Sequence, residues 1–512
     1  MRRAVESILP TGRYGDERTL LAGTAQNAVG LVGAMLATFA TQVLITRTLG
    51  AGAFGVVTVA TQLAFVGGAA TRFGMDMASV RRVAIDLGRG ERARVRGVVN
   101  RAAAIAGMVS VAAGVAIFAG SEWLARVFTT SPGVGRSAFR AAGMALVFVA
   151  LAQVYLGATR GLKVMRHTLY IYWLGQPAAW IVLMLLGWLW TQTVGVTVLA
   201  YAGSWIVATV AALWVWRRLT RGFGGLAPET GETRDLIRYG APRAPAALFS
   251  QLLFWTDLFV LAHFASSSEV GVYAAAVRAA QVILLFLISV NYVFSPFVAD
   301  LHARGERDRL DTLFKSLTRW MLAATLPIFI VLAVAPGPAL RLFGEGFGAG
   351  RTALLILLAG QLVNVATGSV GFILIMVGRT GVDLAVNAAA VAVSAGSAAF
   401  LVPRYGIEGA AVAGALTLAL SNLARLALVW RSLRIQPFTR AYLRLAIPAV
   451  VGATAGWLAH LLARGGAWQV DLAVTALAAT IAYGVALVAG GLPGREKSAV
   501  LSVLRSAVGK SN

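Results

Sequence analysis

Long apolar runs recur along the whole chain and are separated by short polar stretches. Most runs have about 20 residues, the length that an α-helix needs to cross the roughly 30 Å hydrocarbon core of a bilayer. Windows of about 19 residues predict an all-α integral membrane protein with about 14 transmembrane helices, or spans. The predicted spans cover residues 20–46, 54–76, 98–119, 137–158, 169–190, 196–216, 244–264, 270–296, 319–342, 352–376, 382–402, 407–430, 443–463 and 471–491.

The composition agrees with a membrane protein and narrows the kinds of partner. Hydrophobic residues make up 58% of the 512 residues and charged residues only 13%, whereas soluble domains usually have about 25% charged residues. The net charge of +24 would suggest nucleic-acid binding in a soluble protein. Here the basic residues are divided among short loops beside apolar runs, so we predict contact with membrane lipids and no nucleic-acid partner.

The distribution of Lys and Arg predicts the orientation in the membrane. With the N-terminus inside, the loops after even-numbered spans carry about 34 of the 45 basic residues, and the opposite loops carry about 7. We therefore predict a multi-pass protein of the inner (cytoplasmic) membrane with both termini cytoplasmic. The opposite loops are too short to hold a catalytic domain.

Chemistry that depends on thiols or metal ions is not indicated. The chain has no cysteine and four histidines, and no two histidines have metal-ligand spacing within one helix. We therefore predict no metal site, no cofactor and no catalytic residue.

A long internal repeat is indicated by two similar heptapeptides, RGERARV at 89–95 and RGERDRL at 304–310. They follow the second and eighth predicted spans, roughly 215 residues apart, which is far longer than a solenoid period. AGAFGVV and EVGVYAA are related by about 219 residues, as are Arg160 and Arg379. Because six is an even number of spans, the two copies insert the same way up, with a pseudo-twofold axis along the membrane normal.

The repeat predicts two six-helix lobes followed by two further helices. The N-terminal lobe covers 1–218, a cytoplasmic linker 219–243 and the C-terminal lobe 244–432, with spans 13 and 14 and a tail at 433–512. The linker contains Gly and Pro but no periodic apolar core. Spans 1 and 8 are longer than a crossing needs, which indicates tilt or a broken helix.

Residues 239–283 resemble the span 7–8 hairpin of polysaccharide transporters in the multidrug/oligosaccharidyl-lipid/polysaccharide exporter (MOP) superfamily. That hairpin has a Pro entering span 7, an Asp late in it, and then G-x-Y-x-x-A-x-R. The matching residues here are Pro242, Asp257, Gly271, Tyr273, Ala276 and Arg278. RTLGAGAFGVV at 47–57 and LVPRYGIEGAAVAGAL at 401–416 are similar to two other hairpins of the same family.

The resemblance implies a flippase that moves polyprenyl-diphosphate-linked oligosaccharides across the membrane for cell-surface polysaccharide biosynthesis. Such flippases work by alternating access between two six-helix lobes. Fourteen spans are typical of the polysaccharide and lipid II branches, whereas the drug-exporting MATE branch usually has twelve. Polymerases or glycosyltransferases of the same pathway are implied as partners.

Charged and amide side chains inside the spans are the candidate site residues. A charge at a helix centre costs about 2.5–3.5 kcal/mol on insertion scales, so each needs a reason. A guanidinium donates two parallel hydrogen bonds to phosphate, so Arg278 is predicted to bind the substrate's diphosphate. Asp257 is the candidate for coupling to a cation or a proton. The other substrate-binding candidates are Gln281, which shares a helix face with Arg278, and Asn291, Gln251, Arg47 and Arg72.

Structural roles compete with several of these assignments. Asp257 and Arg278 are expected at similar depth on neighbouring spans, so a salt bridge between them is the alternative prediction. Arg47 could instead extend to the membrane surface. Arg72 could pair with Asp76, four residues further along the helix.

Other functions remain open beside the flippase. A MATE-like exporter of organic cations would favour carboxylates over arginines in the spans, yet Asp257 is nearly the only deep acid. A membrane enzyme of polysaccharide assembly needs acids or a metal site in an exposed loop, and a scaffold needs no buried charge. The leading prediction is a secondary-type transporter that is not an enzyme, coupled to membrane potential, protons or sodium.

Overall fold

A computed structural model of the protein describes residues 17–224 and 231–491, and every regular element in these ranges is a helix. Twelve of the described helices are long and apolar enough to cross a membrane. Two of them are pairs of helices joined at a glycine with non-helical φ and ψ angles, so the described helices are roughly consistent with the fourteen predicted spans. The protein is therefore an all-α, multi-pass membrane protein. The two termini, predicted to be cytoplasmic, lie outside the described residues.

The helix bounds follow the predicted spans. Spans 1–6 are formed by Glu17–Thr71 (spans 1 and 2), Arg92–Ala119, Pro132–Gly161, Thr168–Trp188 and Val194–Leu219. Spans 7–10 are formed by Arg243–Phe264, Ser267–Gln281 with Leu285–Ala303, Arg307–Val334, and Arg351–Thr367 with Val370–Met376. Spans 11–14 are formed by Thr380–Leu433 (spans 11 and 12), Ala446–Ala463 and Trp468–Ala486. Shorter helices between them are Met75–Gly88, Ser121–Phe128, Glu232–Gly240, Pro336–Leu340 and Arg440–Leu443.

Two of these helices are each a pair of spans joined at a glycine. Gly50 (φ 81°, ψ 177°) separates spans 1 and 2, and Gly406 (φ 53°, ψ −125°) separates spans 11 and 12. A straight helix of 54 residues would be about 81 Å long, far more than a bilayer core. The chain does turn back, because Arg425 Nε lies 3.0 Å from Asp383 Oδ1, 42 positions earlier.

The two heptapeptides form the same turn between two helices. Gly90 (φ 78°) and Gly305 (φ 71°) both adopt the left-handed conformation, which glycine enters without a Cβ clash. In each turn the following glutamate precedes the next helix and pairs with an arginine three residues later: Arg94–Glu91 at 3.5 Å and Arg309–Glu306 at 2.5 Å. The repeated sequence therefore encodes a helix–turn–helix corner. We call the side of the molecule with these turns the basic face, and the side with the Gly50 and Gly406 turns the opposite face.

A third pair of turns corrects the predicted alignment of Arg160 with Arg379. The amide of Val164 donates to Thr159 O, and the amide of Arg379 donates to Leu374 O, at 3.1 and 2.9 Å. The left-handed residue of these turns is Lys163 in the first lobe and Gly378 in the second. The two turns are thus related by about 215 residues, which places Arg379 opposite Val164 and not opposite Arg160.

On the opposite face, the two lobes contact each other through equivalent residues of the repeat. A Cβ on Gly55 would meet the carbonyl oxygen of Ser267, and a Cβ on Gly271 would meet that of Ala51. Each position is also about 3 Å from the amide nitrogen of the other glycine. Both pairs of equivalent residues are about 216 residues apart, so spans 2 and 8 cross symmetrically. The pseudo-twofold axis passes between Gly55 and Gly271, which sets the AGAFGVV–EVGVYAA offset at about 216 residues and not 219.

The predicted linker contains a helix that the sequence pattern did not indicate. Glu232–Gly240 buries Leu236 at 4% exposure, and it packs on the Met75–Gly88 helix. A Cβ on Gly74 would lie 2.7 Å from Gly240 O. Residues 225–230 of the linker lie outside the described residues. The lobe boundaries at 218, 243 and 432 remain predictions.

Spans 13 and 14 pack on span 9 of the second lobe. The Tyr483 hydroxyl donates to Ala323 O at 2.8 Å. Within the pair, His460 Nδ1 lies 2.7 Å from Asp471 Oδ1, and both residues are buried. These polar contacts fix the two additional helices to each other and to the second lobe.

Candidate functional site

Arg278 lies on span 8, close to the point where that span breaks. The Ser267–Gln281 helix begins with a capping box formed by Ser266 and Glu269, and a 3-10 turn, Val282–Leu284, follows it directly. Of the two alternatives predicted for span 8, tilt or a broken helix, the structure shows an interruption of the α-helix. It falls one turn of helix after Arg278, at the position where the helix direction can change.

The guanidinium of Arg278 is held by one hydrogen bond and one ring. Nη1 donates to Gln281 Oε1 at 3.2 Å, as expected for a pair three residues apart on one helix face. The guanidinium carbon lies 4.7 Å from the ring centroid of Trp255 on span 7. The described salt bridges do not include Arg278, although its side chain is half-buried. Since a guanidinium has five N–H donors, most of them remain for a ligand.

Arg278 also faces the first lobe. Span 8, which carries it, packs against spans 1 and 2. Tyr201 on span 6, within range of an electrostatic interaction with Arg278, belongs to an aromatic group with Trp180 and Trp205, at centroid distances of 4.9 and 6.2 Å. The arginine therefore lies between the lobes. Trp255 and Tyr201 were missed by sequence analysis, because aromatic residues in apolar spans are not distinguished by their sequence pattern alone.

Asp257 does not pair with Arg278, so the predicted salt bridge across the hairpin is wrong. Asp257 Oδ2 accepts a hydrogen bond from the Tyr273 hydroxyl at 2.5 Å, and Oδ1 accepts from the amide of Leu258 at 2.8 Å. Successive helix residues are about 100° apart, so Tyr273 and Arg278 point about 140° away from each other. Trp255 and Asp257 likewise point to nearly opposite sides of span 7. Span 7 therefore presents Trp255 to Arg278 and Asp257 to Tyr273.

The environment of Asp257 lies inside the second lobe. The carboxylate is 7% exposed, and a Cβ on Gly414 of span 12 would collide with Oδ2. The Tyr273 hydroxyl is also 3.5 Å from Ala410 O on the same span. Spans 7, 8 and 12 thus enclose Asp257. If Asp257 couples transport to a cation or a proton, as predicted, that ion must bind inside the second lobe.

Tyr273→Phe is expected to destabilise the folded protein by about 1–3 kcal/mol, because it leaves the buried Asp257 carboxylate without one of its two hydrogen bonds. The free energy of unfolding in detergent measures this. Tyr405→Phe is the control, since Tyr405 is 61% exposed and removal of its hydroxyl should have little effect. Equal stability of Tyr273→Phe and wild type would show that the hydroxyl does not support Asp257.

Two of the remaining predicted site residues, Arg72 and Arg47, have partners of their own. Arg72 Nε lies 3.4 Å from Asp76 Oδ2, which confirms the predicted pair. Arg47 lies on the opposite face, where Nε donates to Leu342 O at 2.9 Å and the guanidinium lies 5.6 Å from the Trp468 ring. Asn291 is buried and Gln251 is half-buried. Their substrate-binding roles remain predictions.

Comparisons with known proteins agree with this arrangement. The polysaccharide biosynthesis protein family matches residues 20–302, more than half of the chain, and the MatE family matches residues 242–399. The probable low-salt glycan biosynthesis flippase Agl15 of Haloferax volcanii is 23% identical over 197 residues. That match covers 38% of this chain and 42% of the relative, so it spans less than half of the relative's length.

Two solved structures have the same fold at low sequence identity. The lipid II flippase MurJ in an inward closed conformation is 12% identical, with a TM-score of 0.71 over 90% of this chain and 99% of that one. A MATE family multidrug transporter of the MOP superfamily in an inward-facing conformation is 12% identical, with a TM-score of 0.68 over 80% and 98%. The fold is that of the MOP transporters, and the chain belongs to the polysaccharide biosynthesis protein family.

Proposed function

We propose that this membrane transporter is a flippase for a polyprenyl-diphosphate-linked oligosaccharide, working by alternating access between its two lobes. The observation that carries the proposal is Arg278, a half-buried guanidinium between the lobes that is not paired with a described carboxylate. Placing a cation in a span is unfavourable unless a partner compensates it. A diphosphate supplies that partner with two negative groups.

The position of Asp257 favours an anionic over a cationic substrate. An exporter of organic cations would present a carboxylate to its cargo, but Asp257 is turned into the second lobe and hydrogen-bonded to Tyr273. The cationic Arg278 instead points away from Tyr273 and Asp257, on the span that packs against spans 1 and 2 of the first lobe. The charge offered between the lobes is therefore positive, which suits a diphosphate.

The names of similar proteins support the same substrate class. Agl15 is described as a probable glycan biosynthesis flippase, and MurJ as a lipid II flippase. By analogy, the sugar-lipid would be made on the cytoplasmic side of the inner membrane and used on the other side. Polymerases or glycosyltransferases of the same pathway would be its functional partners.

Flipping of a fluorescent polyprenyl-diphosphate oligosaccharide in proteoliposomes tests the proposal. Arg278→Ala is expected to reduce the initial rate about 10- to 150-fold, the equivalent of losing about 1.5–3 kcal/mol of charge-assisted hydrogen bonding. Arg278→Lys should recover only part of the rate, because lysine keeps the charge but not the planar fork. Gel filtration and melting temperature establish that both variants are folded.

Two results would contradict the proposal. One is a wild-type protein that moves no lipid-linked sugar under any imposed membrane potential, proton gradient or sodium gradient. The other is an Arg278→Ala variant that flips at the wild-type rate. Accumulation of an organic cation, lost in Asp257→Asn but kept in Arg278→Ala, would support the MATE-like alternative.

A further inference from the structure

A cavity of about 500 Å³ opens on the basic face, away from Arg278. It lies between the Met75–Gly88 helix of the first lobe and the Glu232–Gly240 helix that leads into span 7. This volume is within the range of small-molecule sites, about 300–1,000 Å³. The charged side chains that line it are Arg81, Arg82, Arg89, Arg238, Glu232 and Asp235.

One of the four arginines holds the cavity together. Arg82 Nη2 lies 3.1 Å from Glu232 Oε1, and its Nε lies 3.1 Å from Asp86 Oδ1. Asp86 is fully buried and Glu232 is 4% exposed. The charge of Arg82 is therefore used to join the two helices and is not available to a ligand.

The positive charges of the other three lining arginines are available to a ligand in the cavity. Arg81 lies 4.8 Å from the ring centroid of Tyr239, while Arg89 and Arg238 are exposed. The described salt bridges do not include any of the three. Asp235 is the one lining carboxylate that Arg82 does not engage. Three guanidinium groups therefore line the cavity, and the carboxylate of Asp235 is the one lining acid that could oppose them.

We propose that this cavity binds a phosphate-bearing group, either the headgroup of an anionic phospholipid or a soluble phosphate ester. Arginine donates paired hydrogen bonds to phosphate oxygens, and basic residues next to a membrane attract anionic lipid by about 1 kcal/mol each. The ligand would bridge Arg89 at the end of one helix and Arg238 on the other. It would therefore tie the first lobe to the start of span 7, beside the close approach of Gly74 to Gly240.

The test measures ligand-induced stabilisation of the purified full-length protein, since a ligand that binds only the folded state raises the melting temperature. The probes are phosphatidylglycerol in mixed micelles, phosphatidylcholine as a zwitterionic control, and inorganic pyrophosphate. Arg89→Gln/Arg238→Gln removes two cavity arginines. Arg304→Gln/Arg307→Gln is the matched control, because Arg304 occupies the same turn position as Arg89 in the second lobe.

Wild type and control are expected to be stabilised by phosphatidylglycerol or pyrophosphate, and Arg89→Gln/Arg238→Gln should need at least about 10-fold more of the same probe. Stabilisation by phosphatidylglycerol alone identifies a lipid headgroup, and stabilisation by pyrophosphate identifies a soluble ester. No stabilisation by either, or an equal loss in the control, overturns the proposal. Arg278→Ala should keep the response, which separates this cavity from the proposed transport site.

Discussion

In the alternating access proposed above, Gly271→Ala is expected to shift the protein strongly away from the closed state, in which spans 2 and 8 touch on the opposite face as they do in this structure. The new methyl group would collide with the backbone carbonyl of Ala51, and it would lie 3.1 Å from the amide nitrogen of Gly55. Backbone atoms cannot rotate away as a flexible side chain can. Such overpacking typically costs about 1–3 kcal/mol, which changes the ratio of closed to open molecules about 5- to 150-fold.

Disulfide crosslinking measures this shift, since the chain has no cysteine of its own. Thr130 Oγ1 and Ser267 Oγ lie 3.1 Å apart across the same closed face, so Thr130→Cys/Ser267→Cys should crosslink readily in the closed state. Adding Gly271→Ala should slow the crosslinking. Gly52→Ala is the matched control, because nothing lies within 4 Å of a Cβ at Gly52.

The symmetry of the crossing of spans 2 and 8 predicts that Gly55→Ala has the same effect as Gly271→Ala. Gly55→Ala would meet Ser267 O in the same way that Gly271→Ala meets Ala51 O. The two substitutions should therefore slow crosslinking by similar factors. An unchanged crosslinking rate in both variants would mean that spans 2 and 8 do not cross so closely, and a large effect of Gly52→Ala would mean that the helix itself was disturbed.

The sequence predicts most of this architecture because hydrophobic spans and turn glycines act locally. The heptapeptides contain a left-handed glycine and a glutamate paired three residues ahead, so their repetition predicts the repetition of the corner. The i, i+3 spacing of Arg278 and Gln281 also predicts correctly that they share a helix face, on which the structure places a hydrogen bond between them. These features depend on fewer than ten consecutive residues.

The sequence fails where the rotation of one helix about its axis relative to another decides the contact. The sequence predicts Asp257 and Arg278 at similar depth, but depth does not determine which side of span 7 faces span 8. Trp255 faces Arg278, and Asp257 turns to Tyr273. The partner of Arg425, Asp383, is 42 positions away and depends in the same way on how spans 11 and 12 face each other.

Arg82→Gln is expected to lower the free energy of unfolding by about 3 kcal/mol. Removing one partner of a buried ion pair costs about 3–5 kcal/mol because the other charge remains buried without compensation. The side chain of Arg82 is 23% exposed, so the expected loss of stability lies at the lower end of that range. Arg81→Gln is the control, since the neighbouring Arg81 is exposed and stacks on Tyr239.

A double substitution separates loss of charge balance from loss of packing. Arg82→Gln/Asp86→Asn removes the buried carboxylate as well as its cation, so it should be more stable than Arg82→Gln alone. If adding Asp86→Asn to Arg82→Gln restores no stability, Arg82 stabilises the fold through its aliphatic stem and not through its charge. Chemical denaturation in detergent measures the free energy of unfolding of the wild type, Arg82→Gln, Asp86→Asn and the double variant.

The effect of Arg82→Gln should also depend on pH. Burial raises the pKa of Asp86, and Arg82 opposes that rise, so removing Arg82 should raise the pKa of Asp86 further. A group whose pKa is higher in the folded state binds its proton more tightly there, and lowering the pH through that pKa stabilises the fold. The stability deficit of Arg82→Gln should therefore be largest at neutral pH and shrink as the solution is acidified. A deficit that does not change with pH would show that Asp86 is not the charge that Arg82 compensates.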